Sequence, residues 1–338
     1  MSSFLEDQKM SPEVKAMFQQ AGDTVHFSKA QNLAAQDFIA KALQEPLRQG
    51  IVSGDILGNL FDPLDYTDGE TIEYELDFLT PGSERDFYAY TVPNRGAVPQ
   101  RAVEADYVKI PTYRIANSID THYRYLKKAR SNVRARMMEV LEAGITKKLN
   151  DDGWHTILAS AVDRNIRVFD ADAAAGQFTK RLVALCKTVM VRNGGGNSAS
   201  RTGFRVTDIY MSPEANEDIM NWNVDQVDEI TRRDIFLSDD GGLSRIFGVT
   251  LHQLRELGVG QEYQLYYTSD LSGTMGASDE EIVVCVDQTK DSLIMPIEES
   301  LQVIADDQFA REEMASWYCK MRLGIANTDN RNILVASF

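Results

Sequence analysis

The residues of this sequence that could do chemistry are mostly short groups of acids. One group, Asp62, Asp65, Asp68 and Glu70, surrounds Gly69. An EF-hand loop alternates its calcium ligands along about 12 residues, which is not the spacing here, so a solvated turn fits better. Three acidic pairs, predicted in loops or near strand ends, are Asp239-Asp240, Glu298-Glu299 and Asp306-Asp307. Paired carboxylates divide acid and base roles only where burial separates their pKa values, and we predict no catalytic or metal-binding residue among them.

A glycine-rich segment at 194–196 is the candidate for a phosphate-binding loop. A P-loop needs Lys followed by Ser or Thr directly after its glycines, so that a positive charge and a magnesium ligand meet the phosphates. Here Asn197 and Ser198 follow instead. The sequence also contains neither a Gly-x-Ser-x-Gly nucleophile elbow nor a His-Glu-x-x-His zinc motif. We therefore expect a surface loop and no cofactor.

The cysteines and histidines are too scattered to form a predictable site. Cys186, Cys285 and Cys319 are far apart, and each lies among apolar neighbours. An odd number of cysteines without Cys-x-x-Cys spacing favours reduced, buried thiols over a disulfide framework or a zinc site. The histidines occur singly, at His26, His122, His155 and His252. No histidine-based metal site is predicted.

Charge and hydropathy limit the class of protein. The 338 residues include 35 Lys and Arg and 51 Asp and Glu, a net charge of −16. Non-specific DNA binding depends on basic residues that neutralise phosphates, so this charge opposes a DNA-binding enzyme or repressor. It does not oppose a container wall, for which adhesion to packaged DNA would be a hindrance. No apolar run approaches the ~20 residues of a membrane helix, and the first residues lack a signal peptide's basic and apolar regions. We expect synthesis in the cytoplasm and no membrane contact.

The elements of the first third predict an arm followed by a long hairpin. Capping patterns beginning at Ser11 and Ser28 predict short helices over 11–22 and 28–46. Apolar residues alternate with acids over 72–78, which is typical of a strand, and 107–115 reads as a second strand interrupted by Pro111. The segment between them is long for a hairpin loop. An isolated two-stranded hairpin is marginal in water, so such a flap needs a neighbour to lie on.

One long helix is predicted over 118–163, with 151–153 as a candidate break. Its apolar residues recur at helical spacing: Val133, Met137, Val140, Leu141, Ile145 and Leu149. Basic residues cluster near its start: Arg124, Lys127, Lys128, Arg130, Arg134 and Arg136. This cluster is either a solvated helix face or a face toward packaged DNA or a scaffold.

Helices and strands alternate after this helix, and the chain then returns to strands. A helix is predicted over 178–192 and strands over 204–211, 246–251, 263–268 and 281–286. Ser212-Pro213-Glu214 is a helix-capping pattern. Over 315–325 every odd position is apolar, which indicates a strand with one buried face. A final strand is predicted over 332–335. These elements make the fold class α+β.

The order of arm, long hairpin, long helix, mixed α/β segment and terminal strands resembles the Hong Kong 97-like capsid fold of tailed bacteriophages. The resemblance covers roughly residues 55–338. Its most specific part lies in the segments 291–294, 299–303 and 322–327, which are similar to the closing strands of that family. Segments 209–215 and 245–249 are similar to a strand-into-helix and a "Gly-Val" strand of its axial domain.

The resemblance implies a domain order and a function. The implied parts are an N-terminal arm over 1–60, an extended β-hairpin loop over 61–110, a peripheral domain with a spine helix over 111–165, an axial domain over 166–286 and closing peripheral strands over 287–338. The implied function is that of a major capsid protein, structural and not enzymatic. It self-assembles as hexamers and pentamers into the icosahedral shell of a virion, around double-stranded DNA that it contacts weakly and non-specifically. Portal, scaffold and decoration proteins are candidate further partners.

Two departures and three alternatives accompany this resemblance. Some members of the family cross-link through a lysine of the extended loop, but residues 61–108 contain no lysine. We therefore expect a non-covalent lattice or a separate cementing protein. Some members also carry a long N-terminal scaffold segment that a protease removes, and because the arm is short here we expect no such removal. The alternatives are an encapsulin-type shell around an enzyme cargo, a soluble α+β enzyme, and a tail or sheath protein. Particle contents distinguish the first alternative, and particle size distinguishes the second.

Overall fold

The computed structural model describes thirteen stretches of the chain. They are residues 21, 34–41, 44, 60–66, 72–75, 107–127, 131–174, 176–193, 203–222, 245–276, 279–289, 292–306 and 313–338. The chain divides into two compact units. Unit 1 comprises Met1–Ile72, Ile110–Gly153 and Met295–Ile325, and unit 2 comprises Glu73–Lys109, Trp154–Ile294 and Ala326–Phe338.

The elements are numbered in chain order. The strands are β1 Asp62–Asp65, β2 Glu73–Glu75, β3 Tyr107–Lys109, β4 Tyr113–His122, β5 Val168–Phe169, β6 Asp208–Met211, β7 Arg245–Ile246, β8 Val249–Gln253, β9 Ile282–Val286, β10 Leu293–Asp306, β11 Met314–Leu323, β12 Ala326–Asn327 and β13 Ile333–Ser337. The α-helices are α1 Tyr123–Lys127, α2 Ser131–Arg164, α3 Lys180–Asn193, α4 Pro213–Met220 and α5 Glu262–Leu265. A π-helix spans Tyr266–Asp270, and a 3₁₀-helix spans Asn330–Asn332. None of the helices in these stretches is long and apolar enough to cross a membrane.

Unit 1 is built on a sheet with the strand order β1-β10-β11-β4. Strand β11 pairs antiparallel with β4 along its whole length, from Met314 opposite His122 to Leu323 opposite Tyr113. The odd positions of β11 that lie within the strand are all buried, from Ala315 to Leu323. The period of two in the sequence is therefore confirmed as a strand with one core face.

The long helix α2 covers that core face. Its residues Met137, Leu141, Ile145 and Leu149 recur every four positions and share one core cluster with the odd residues of β11. Val140 of the predicted stripe is 48% exposed, because it lies one position off the buried row. The candidate helix break at 151–153 is wrong, since α2 continues through these residues to Arg164.

The described part of the first 60 residues belongs to the same core. Residues 34–41 are helical, within the predicted helix 28–46. Ala35, Ile39 and Ala40 are buried in the cluster that contains α2 and β11, as is Ala21. The Gln44 amide Nε2 donates to the Leu301 carbonyl of β10 at 3.0 Å. An arm that reaches a neighbouring subunit thus stays a prediction for the remaining residues of this segment.

The predicted start of the long helix is wrong. Residues 118–122 continue β4, and the helix α2 begins at Ser131 after the short helix α1. The reason is long-range pairing, because each of these residues lies opposite a residue of β11 almost 200 positions later in the chain. The alternation of Ile115 and Ile119 with polar neighbours fits the strand that forms.

Unit 2 contains a mixed six-stranded sheet with the order β5-β13-β9-β6-β8-β7. The pairs β5–β13 and β6–β8 are parallel, and the other pairs are antiparallel. All five residues of β9 and all five of β13 are buried, as expected for strands with both faces covered. Helices α3 and α4 share a core cluster with Val283 and Cys285 of β9.

Several local predictions in unit 2 hold and two fail. The predicted helix over 178–192 and strand over 281–286 form as α3 and β9. Ser212 caps helix α4, and its Oγ accepts a hydrogen bond from the Ala215 N–H at 3.1 Å. The segment 263–268 is helical and not a strand. The segment 246–251 is a hairpin whose turn residues, Phe247 and Gly248, have φ values of 52° and 77°.

The three cysteines are free and buried, which confirms the prediction of reduced internal thiols. The fold class is α+β, with long strands in unit 1 and a mixed sheet with flanking helices in unit 2.

Candidate assembly surfaces

The described residues place the acidic groups in structural ion pairs or on exposed strands. Glu298 accepts the Thr112 hydroxyl at 2.7 Å and pairs with Arg322 at 3.0 Å. Glu299 lies 3.6 Å from Lys320. This acidic pair therefore lies inside strand β10, not in a loop or at a strand end, and joins it to β11. Such partly exposed pairs contribute about 1 kcal/mol or less each.

The other acids and the glycine segment form no site in the part of the chain that the structure describes. Asp62 and Asp65 lie exposed on strand β1. No group of three His, Cys, Asp or Glu side chains within the described stretches could hold a metal ion. Five predictions lie outside those stretches: those for Asp68, Glu70, His26, the Asp239-Asp240 pair and the glycine segment 194–196. Asp307 also lies outside them.

A buried carboxylate in unit 2 is the strongest titratable feature that the sequence analysis missed. Glu281 accepts the Ser212 hydroxyl at 2.5 Å, next to the N-terminus of α4. Burial raises the pKa of Glu281 above its usual value, and the neighbouring carboxylates of Glu214, Asp218 and Glu280 raise it further, against the hydrogen bond from Ser212. Its position beside the apolar strand β9 would have been the only sequence signal. The arrangement holds the start of α4 against the ends of the neighbouring strands β6 and β9.

The buried thiols of unit 2 lie side by side. A hydrogen bond with Cys186 of α3 raises the pKa of Cys285 on β9, and burial adds to this effect. Thiols are nucleophilic only as thiolates. Both thiols belong to the apolar core cluster of unit 2.

An aromatic group covers the other face of the unit 2 sheet. Trp154 packs edge-on against Tyr210 at 5.0 Å between ring centroids, and Tyr210 stacks on His252 at 4.7 Å. His252 Nε2 lies 2.8 Å from an Asp208 carboxylate oxygen. Burial and the charge of Asp208 raise the pKa of Tyr210. These contacts account for the single histidine at 252 as a packed residue.

The basic cluster near the start of the long helix is only partly described. Arg124 donates to the Tyr125 hydroxyl at 2.8 Å and lies over its ring at 4.8 Å. Arg136 is exposed on α2. Lys128, Arg130 and the side chains of Lys127 and Arg134 lie outside the described residues. The choice between a solvated face and a face toward DNA or a scaffold stays open.

The hairpin predicted over 61–110 is described only at its base. Strands β2 and β3 form a two-stranded antiparallel ribbon, with Glu73 opposite Lys109 and Glu75 opposite Tyr107. In the described sheets this ribbon pairs with no third strand. Tyr107 is 60% exposed and Val108 is 38% exposed. Residues 76–106 lie outside the described stretches.

Strand β4 is a second surface that could receive another chain. It is the last strand of the unit 1 sheet. Its odd face is held by the helix, because the Asn117 Nδ2 donates to the carbonyls of Val140 and Leu141 at 3.5 and 3.4 Å. On its even face, Arg114, Ala116, Ser118 and Asp120 are all exposed.

Similar folds occur in phage particles. The structure of Gordonia phage Cozz aligns with a TM-score of 0.53 and 11% identity, over 84% of this chain and 86% of that chain. The asymmetric unit of the bacteriophage PhiM1 mature capsid aligns with a TM-score of 0.53 and 10% identity, over 84% and 86%. The capsid of a native GTA particle aligns with a TM-score of 0.53 and 12% identity, over 83% and 89%.

No protein-family model matches the sequence, and no curated protein matches it. The likeness is therefore one of architecture, and it extends over most of both chains in each alignment. The chain has the Hong Kong 97-like fold of phage capsid structures, as its sequence predicts.

Proposed function

We propose that this chain is a major capsid protein, which assembles with copies of itself into an icosahedral shell around phage double-stranded DNA. The observation that carries the proposal is the fold, which aligns over more than four fifths of the chain with the PhiM1 capsid and the GTA capsid. The role is structural and not enzymatic, and its location is the virion.

Features of the described residues support this function independently of the fold. The net charge of −16 disfavours adhesion to packaged DNA. The ribbon β2–β3 exposes Tyr107 and Val108 and pairs with no other described strand, and a two-stranded ribbon is marginal in water alone. A neighbouring subunit that covers the β2–β3 ribbon would bury surface that a single chain leaves exposed to solvent.

The proposed domain assignment follows the fold. We assign an arm to 1–60, the extended loop to 61–110, the peripheral domain to 111–165 and 287–338, and the axial domain to 166–286. The division into two units supports the separation of 111–153 and 295–325 from the axial part, because unit 1 holds β4, β11 and most of α2 whereas unit 2 holds the six-stranded sheet. Strand β13, at the end of the assigned peripheral segment, belongs to the sheet of unit 2. Hexamers and pentamers of axial domains then form the capsomers. Scaffold, portal and decoration proteins remain candidate partners.

Electron microscopy of the protein expressed alone tests the proposal. We expect closed shells, which sediment as megadalton particles, or free capsomers of five and six subunits. A chain that remains a small oligomer at all concentrations would contradict it. The content of particles recovered from infected cells separates the two kinds of shell, because a phage capsid holds DNA whereas an encapsulin-type shell holds a protein cargo.

A further inference from the structure

Strand β4 is a long edge strand without the features that normally protect such edges. It spans ten residues, Tyr113–His122, and its side away from β11 pairs with no described strand. An edge with free main-chain N–H and C=O groups is a template for another strand. Proteins protect such edges with short strands, prolines or charges.

The other sheet edges in the described stretches show this protection. Strands β5 and β7, at the two ends of the unit 2 sheet, are two residues long. Strand β1, at the opposite end of the unit 1 sheet, has four residues, of which Pro63 lacks an N–H and two are aspartates. Strand β4 has no proline, and within its ten residues Arg114 and Asp120 are the only residues of formal charge at neutral pH. The exception suggests that β4 is covered in the assembly.

We propose that β4 pairs antiparallel with β4 of a second copy across a two-fold axis between capsomers, which joins two five-stranded sheets into one continuous sheet. This inference rests on the proposed shell function and identifies one of its contacts. A two-fold interface brings the same patch of both subunits together, so the patch must complement itself. The sequence of β4 complements a second copy of itself in one antiparallel register.

That register is centred on Asn117. It places Arg114 opposite Asp120 of the second copy, and Asp120 opposite Arg114 of the second copy, on the exposed face. Ala116 then lies opposite Ser118, and on the covered face Ile115 lies opposite Ile119. Opposite charges directly across an antiparallel pair stabilise it, and the symmetry gives two such pairs.

Neighbouring registers lack this complementarity. A shift of one residue would bring the covered face of one strand against the exposed face of the other. A shift of two residues places Arg114 opposite His122 or Ser118 and leaves Asp120 without a cation. Within its own subunit Arg114 lies opposite Arg322, and it forms no ion pair with any residue that the structure describes. A carboxylate from the second copy would balance this positive charge.

A cross-linking experiment tests the pairing directly. Two variants, Ala116→Cys and Ser118→Cys, are prepared separately and then assembled as a mixture under mild oxidation. Directly opposite residues lie close enough for a disulfide, whereas diagonal neighbours at about 7–8 Å exceed its reach. We expect covalent dimers in the mixture and none with either variant alone. The native cysteines are buried and do not interfere.

Charge reversal supplies the second measurement. Arg114→Asp and Asp120→Arg each place like charges opposite one another, so we expect each to lower the yield of closed shells, and the double variant to restore it. Arg114→Asp should not harm the subunit itself, because Arg322 lies opposite it in the same sheet. Shells at full yield from both single variants, together with no dimers from the mixture, would overturn the pairing.

Failure of the proposed function would look different. Shells without dimers would reject the β4 pairing and leave the shell function intact. Dimers without shells or capsomers would support the pairing and reject the shell function. The absence of shells, capsomers and dimers together would reject both.

Discussion

Trp317 on strand β11 donates its indole Nε1–H to the main-chain carbonyl of Gln36, 281 positions earlier in the chain, at 3.3 Å. Both groups are buried, and the Trp317 side chain is fully enclosed. A buried indole N–H needs a partner, because an unpaired donor costs about 1–3 kcal/mol. The contact joins the helical segment 34–41 to the central sheet of unit 1, so this segment is part of the subunit's own core.

We predict that Trp317→Asp prevents the subunit from folding stably. The change removes the largest side chain of the unit 1 core and buries a carboxylate without a partner, at a cost of about 4 kcal/mol or more. Urea unfolding and the yield of folded protein measure this loss. Trp317→Phe is the matched control, because it keeps an aromatic ring and loses only the hydrogen bond and part of the volume. An unchanged unfolding midpoint for Trp317→Asp would show that this strand face is not in the core.

Gly144 of helix α2 lies directly against the Asn117 side chain of β4, and a Cβ at Gly144 would overlap the Asn117 amide. Gly to Ala in a helix normally stabilises by about 1 kcal/mol. We predict that Gly144→Ala instead destabilises the subunit, because the displaced amide loses its hydrogen bonds to α2.

The control for this change is the same substitution in an Asn117→Ala background. There the added methyl meets no amide, so Gly144→Ala should stabilise by about 1 kcal/mol. A double-mutant cycle of unfolding free energies measures the difference. Additive effects would mean that β4 and α2 are not in contact at this point.

The raised pKa of Glu281 predicts a pH-dependent stability. Its folded pKa lies above the unfolded value of 4.5, so the fold favours the protonated form. The stability from this group is therefore complete below pH 4.5 and is lost as pH rises through the raised folded pKa. Glu281→Gln cannot ionise, so its free energy of unfolding relative to the native protein should increase as the pH rises above 4.5.

Urea unfolding at several pH values measures this relative stability. Glu256→Gln serves as the control for a Glu to Gln change on the surface of the same unit, because the Glu256 side chain is exposed. A free-energy difference for Glu281→Gln that stays constant across the range, or that falls with rising pH, would contradict the burial of this carboxylate.

The sequence predicts best where a pattern is local and continuous. The strand β11 follows from apolar residues at every second position, and the buried row of α2 follows from Met137, Leu141, Ile145 and Leu149 at helical spacing. The cap at Ser212 follows from the Ser-Pro-Glu sequence alone. In each case one short segment contains the whole signal.

The sequence-based predictions fail where residues distant in the chain determine the local structure. Residues 118–122 carry enough polar residues to fit a helix surface, and the pairing of Asp120 with Ser316, 196 positions away, makes them a strand. The segment 263–268 is apolar and aromatic, which suits a strand. It is helical instead, and Tyr263 of α5 packs against Trp154 of α2, more than 100 positions earlier in the chain. The second half of the β4 edge, residues 118–122, is not predicted for the same reason, because a residue predicted in a helix cannot be predicted at a sheet edge.

Deletion of residues 80–104 tests most directly whether the subunit depends on its neighbours. The deletion removes most of the segment between β2 and β3 and leaves both strands of the ribbon in the chain. We predict a variant that unfolds cooperatively, like the native protein, and that sediments as free subunits or capsomers, with no closed shells in electron micrographs. Shells of native size and yield from this variant would contradict the account.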